Sequence, residues 1–184
     1  MSKVKWATGA AALGCAGVLA GTALSGAPAG AAGGVLSGKR EVTIVRVQAF
    51  EGALSLDGGA LVEVDDDSGR QLFVLTPIGG RKYLIKSYGK RDGHPANDDP
   101  ACWQVYQEGS RPLTVEGAVC DAAKKTQQFS ITSQGNGTYA ISNRSAYLQY
   151  FPARGLILEE LGDAPLLSTF RLIDNGPARP PIGG

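Results

Sequence analysis

The chain is 184 residues long, with 18 Lys and Arg against 17 Asp and Glu for a net charge of +1, and 43% of its residues are hydrophobic. That balance excludes a global electrostatic pull toward nucleic acid or anionic membrane. A single histidine, His94, and three scattered cysteines exclude a His-based catalytic triad and a clustered zinc site, so no metal or cofactor is expected.

Residues 1–31 read as a secretory signal peptide. Lys3 and Lys5 supply the positive start, 7–24 is apolar and rich in Ala and Gly, and Ala27, Ala29 and Ala31 offer small-residue cleavage sites. A retained anchor and a lipid-modified Cys15 are the competing readings. Cleavage predicts a secreted, extracellular protein with no membrane attachment and no nucleic-acid partner. It also leaves Cys102 and Cys120, which an oxidising compartment would join as one disulfide. Residues 32–40 follow as a small-residue linker, and 41–176 is enough chain for one domain with its own core.

From there the pattern is strand after strand. Short apolar runs bounded by turn residues predict strands at 42–47, 61–64, 71–75, 82–85, 103–106, 113–116, 128–131, 139–142, 147–151, 156–159 and 169–173. No stretch sustains a capped amphipathic helix, so the class is all-β. Residues 177–184, rich in Pro and Gly, read as a flexible tail.

The strands repeat. Phe73, Phe129 and Phe170 each stand six residues before a glycine, at Gly79, Gly135 and Gly176. Residues 73–85 and 129–141 align without a gap as strand, turn, strand. The third copy has its first strand and turn glycine, and 42–47 looks like its missing second strand. Ile44 to Phe73 and Ile141 to Phe170 are equal intervals, whereas Ile85 to Phe129 is longer by one insertion, placed at 86–100. Three copies of about four strands (about 41–80, 82–136 and 138–176) are too few for a propeller and suit a closed barrel with pseudo-threefold symmetry. This pattern resembles the β-trefoil.

The middle copy narrows the resemblance. Cys102, Val105, Cys120, Gln127, Gln128 and Phe129 follow the order of the ricin-type β-trefoil lectins, with Phe in place of their Trp. Residues 137–143 repeat the Gly-x-Tyr-x-Ile-x-Asn also common there. The resemblance implies a non-catalytic module that binds a glycan or glycoprotein. Its sugar site uses a carboxylate to accept from neighbouring hydroxyls and a ring to pack on the sugar's C–H face. Here Gln104 and Gln149 stand at the carboxylate position of copies two and three, Ser55 near it in copy one, and Ala118 where the ring is expected. A degenerate carbohydrate site is therefore expected among Trp103, Gln104, Gln127 and Gln128, or Tyr147, Gln149 and Tyr150.

Two further classes stay open. The polar insertion 86–100 carries Lys90 and Arg91, which suit a β-trefoil inhibitor of an extracellular, trypsin-like protease; a trefoil that contacts proteins without a small ligand is the third reading. Asp65, Asp66 and Asp67 fail as an EF-hand loop because Thr76 stands where Glu is required, so they read as a charged turn. Asn136 and Asn143 each begin a glycosylation sequon.

Overall fold

The computed structural model describes residues 34–49, 52–66, 71–87 and 101–178. The signal segment, His94, Asp67 and residues 179–184 lie outside the described residues. Twelve strands form one sheet. In chain order they are β1 (Arg40–Arg46), β2 (Ala53–Asp57), β3 (Ala60–Val64), β4 (Phe73–Gly79), β5 (Lys82–Ser87) and β6 (Ala101–Tyr106). There follow β7 (Thr114–Val119), β8 (Phe129–Gly135), β9 (Thr138–Asn143), β10 (Ala146–Phe151), β11 (Gly155–Glu160) and β12 (Phe170–Pro177).

Six strands close on themselves. β1 pairs β4 at Val42 and Phe73, β5 pairs β8 at Tyr83 and Phe129, and β9 pairs β12 at Tyr139 and Phe170. The ladders β4–β5, β8–β9 and β12–β1 complete the ring. Closure removes the open edges that invite pairing with other chains. The three ladders share a register: Leu75 faces Ile85, Ile131 faces Ile141, and Leu172 faces Ile44. The other six strands form the hairpins β2–β3, β6–β7 and β10–β11. These hairpins touch one another, through Ala60 opposite Glu116 and through Leu158 N–H donating to Leu113 O at 2.8 Å.

The Phe-to-Gly interval now has a physical reason at each end. Phe73, Phe129 and Phe170 are fully buried in one core with Ile44, Ile85 and Ile141. Each phenylalanine contributes about 2–3 kcal/mol by leaving water. Gly79, Gly135 and Gly176 have φ of 90°, 88° and 109°, a region that side chains disfavour, and in β4 and β8 the register shifts by a bulge just before the glycine. Trp103 fills the space between Phe73 and Phe129, meeting both rings edge-on at 5.3 and 5.8 Å between centroids. Leu54 and Leu148 are buried at the matching positions of β2 and β10.

Three details add to the sequence reading. β2 was not among the predicted strands, since Ala-Leu-Ser-Leu-Asp lacks the β-branched and aromatic residues that mark a strand. In the segment read as linker, Val35 is buried in the core. At the other end β12 runs through Pro177, and Ala178 N–H donates to Lys39 O at 2.8 Å, so the start of the expected tail is hydrogen-bonded.

Candidate functional site

The middle copy brings its motif residues together, and the fold uses them. Cys102 of β6 and Cys120, the residue after β7, form a disulfide with Cα atoms 5.0 Å apart. Gln127, fully buried in a short 3-10 turn, donates its side-chain amide to Val119 O at 2.8 Å and to Gln104 Oε1 at 3.1 Å. Its Oε1 accepts from Asp121 N–H at 2.8 Å. Gln128 donates to Ala122 O at 2.7 Å. Asn143 donates to Lys125 O at 2.9 Å and to Gln128 O at 3.1 Å, so the amide of the second sequon is occupied. A buried amide needs such partners, and these bind the turn that follows the disulfide to the barrel.

Gln149 does the same work in the third hairpin. Fully buried, its Oε1 accepts from Leu167 N–H at 2.9 Å and Ser168 N–H at 3.0 Å, and its Nε2 donates to Leu148 O at 2.9 Å. Trp103, at 0% exposure, presents no ring face to solvent. Gln104, Gln128, Tyr147 and Tyr150 keep partial exposure. Lys90 and Arg91 lie outside the described residues.

A different set of residues surrounds open space. A groove of about 870 Å³ runs between β3, the start of β7 and the β10–β11 turn. Buried Leu61, Val115 and Leu156 supply an apolar lining, while Glu63, Asp65, Glu116, Tyr150 and Arg154 supply polar groups. Of the residues singled out in the sequence as sugar contacts, Tyr150 is the one that borders this groove.

Tyr150 and Glu63 are held by Arg46, the last residue of β1. Its guanidinium donates to both Glu63 oxygens, Nε to Oε2 at 2.7 Å and Nη2 to Oε1 at 3.1 Å, with side chains only 12% and 15% exposed. Two parallel bonds fix the carboxylate in direction as well as distance. The same guanidinium lies 4.1 Å from the centroid of the Tyr150 ring, a cation–π contact. Gly52 makes room for the pair: a Cβ there would stand 2.6 Å from Glu63 Cγ and 2.7 Å from Oε1. Three segments distant in sequence thus converge on one ring and one carboxylate.

Glu116 and Arg154 differ from that pair. Among the described residues neither side chain makes a hydrogen bond or an ion pair; the Arg154 guanidinium rests 5.6 Å from the Phe151 ring centroid. Sequence reasoning did not single out Arg46, Glu63, Glu116 or Arg154. The available signal was a carboxylate at Glu63, inside the otherwise apolar strand Ala-Leu-Val-Glu-Val. Chemically the groove can take a ligand with one apolar face and several hydroxyl or ammonium donors. Among the described residues no three His, Cys, Asp or Glu side chains converge as a metal site, and no helix is long and apolar enough to cross a membrane.

No protein-family model and no curated protein matches the sequence. Solved structures do. The designed threefold-symmetric protein ThreeFoil aligns at 18% identity and a TM-score of 0.54, over 73% of this chain and 98% of its own. The BEL β-trefoil aligns at 15% identity and 0.54, over 73% and 92%. SeviL, solved bound to asialo-GM1 saccharide, aligns at 14% identity and 0.50, over 74% and 98%. At these identities the likeness carries architecture alone. Together with the closed six-stranded ring and its three hairpins, it identifies the fold of this chain as a β-trefoil.

Proposed function

We propose that the protein is an exported, non-catalytic binding module, a pseudo-threefold trefoil of the ricin-type lectin kind, and that its ligand is a carbohydrate. The observation that carries this reading is the groove beside Tyr150. A half-buried aromatic ring, an apolar lining and carboxylates are the groups that a sugar's C–H face and hydroxyls require. The order Cys102, Val105, Cys120, Gln127, Gln128, Phe129 supports the lectin kinship, and SeviL supports the ligand class by holding a saccharide on a similar frame. The Cys102–Cys120 bridge supports export. Gln104 and Gln128, partly exposed near the disulfide, and Tyr147 are secondary candidate contacts.

A glycan array probed with the folded chain tests the reading. Binding to a defined set of glycans is expected, weakened at least about tenfold by Tyr150→Ala, since an aromatic platform is worth about 0.5–1.5 kcal/mol beyond its buried area. A silent array, with inhibition of a trypsin-like protease that disappears in Lys90→Ala/Arg91→Ala, would transfer the function to residues 86–100. No observation among the described residues favours that second reading.

A further inference from the structure

We infer that the groove selects saccharides carrying a free amine, a ligand class that rests on the carbohydrate reading above. The reason lies in how each charge around the groove is used. Glu63 is engaged by Arg46 through two short bonds, and Arg46 is also covered by the Tyr150 ring. That pair is neutral as a unit and has little left for a ligand's charge.

Glu116 and Asp65 are in a different position. Both border the groove, and among the described residues neither carboxylate has a hydrogen bond or an ion pair. Arg154 is the opposing cation in the lining, and it makes no ion pair with either carboxylate. With Glu63 neutralised, the lining among the described residues holds two carboxylates and one guanidinium.

An ammonium answers that arrangement better than a hydroxyl does. It brings three donors and the opposite charge, and charge-assisted hydrogen bonds are roughly twice as strong as neutral ones. An acidic sugar would meet like charge at Glu116 and Asp65. The ring of Tyr150 and the lining of Leu61, Val115 and Leu156 favour a sugar's C–H face, which a simple polyamine lacks. A groove of about 870 Å³ has room for more than one ring of an oligosaccharide.

Four short probes separate the outcomes: a glucosamine trimer, its N-acetylated form, a glucose trimer and a lysine trimer. Each is titrated calorimetrically into the full chain at mildly acidic pH, where the ligand's amine is protonated. The glucosamine trimer is expected to bind about tenfold tighter than either neutral trimer, the size of one charge-assisted hydrogen bond gained. Added salt should shrink that preference. Glu116→Gln, nearly isosteric on a partly exposed strand position, should erase the preference, so that the glucosamine trimer binds no tighter than the neutral trimers; Asp65→Asn serves the same purpose if the first variant does not fold. Equal affinity for all three sugar trimers overturns the amine preference while the carbohydrate reading stands. A lysine trimer binding as tightly as glucosamine overturns the saccharide class. No binding by any sugar, with a silent glycan array, overturns both.

Discussion

The β6–β7 hairpin and the groove beside the β10–β11 turn divide the polar residues of this protein into two economies. Around β6–β7, Gln104, Gln127, Gln128 and Asn143 bond to one another or to nearby carbonyls, and the disulfide ties β6 to the residue after β7. Around the groove, Arg46 and Glu63 satisfy each other, but Glu116 and Arg154 have no such employment among the described residues. The first region carries the motif that a reader of lectin sequences notices. The second carries the unspent chemistry. A polar side chain already paired inside the fold has little to offer a ligand, because binding would first have to break what it holds.

Substitutions sharpen this contrast if the two regions respond on different axes. The largest stability effect is expected on the β6–β7 side. Gln127→Ala empties a fully buried side-chain site and leaves the part-buried Val119 carbonyl and Asp121 N–H without their partner, and should cost about 3 kcal/mol in a urea titration. Ligand affinity of the fraction that stays folded should not change. A destabilisation near zero would mean that the buried amide network is not what fixes this turn.

At the groove a smaller loss of stability should come with a larger loss of binding. Glu63→Ala removes both acceptors from a guanidinium that is only 12% exposed; allowing for the water that reaches the groove, about 2 kcal/mol is expected, below the cost of stranding a fully buried charge. Gly52→Ala should act on the same pair more gently, by about 1 kcal/mol, because the new methyl group must displace the Glu63 side chain from its bidentate seat. Both variants should weaken glycan binding if the fixed carboxylate and ring matter, and a variant that loses stability with full binding would detach Arg46 and Glu63 from the site.

The smallest effect lies away from both regions, where β1 meets β12. The Arg40 guanidinium, helped by the Gly176 N–H, holds the exposed carboxyl of Asp174 below the usual carboxylate range. A lowered folded-state pKa means the contact's contribution is present above the ordinary carboxylate value and fades as pH falls through the lowered one. In Arg40→Ala the Asp174 titration, followed by NMR, should move up toward the ordinary value while ligand binding stays unchanged.

How much was readable in advance follows the same division. The barrel was legible because Phe73, Phe129 and Phe170 must be buried and Gly79, Gly135 and Gly176 must take positive φ, so one spacing records both demands three times. β2 was not, since its alternation of Leu54 and Leu56 around Ser55 is too short and too plain to stand out. Tyr150 was singled out for its ring. Its partners were not, because Arg46, Glu63 and Glu116 sit on β1, β3 and β7, and a single charged residue in a strand says nothing about its neighbours across the fold. Gln127 and Gln149 were noticed for their place in a motif order, and in the fold their amides are turned toward the backbone.

The pairing of β1 with β12 has a consequence for how the molecule comes into being. β1 lies near the beginning of the described chain, yet the strand that forms its longest ladder, Phe170–Pro177, lies near the end. Contacts so far apart in sequence are slow to form, and these require residues 40–46 and 170–177 to be present together. Until β12 is present, β4 can pair β1 at Val42, but Ile44 lacks the facing Leu172 and the ring stays open. The closed ring is therefore completed only when β12 docks beside β1 and β9.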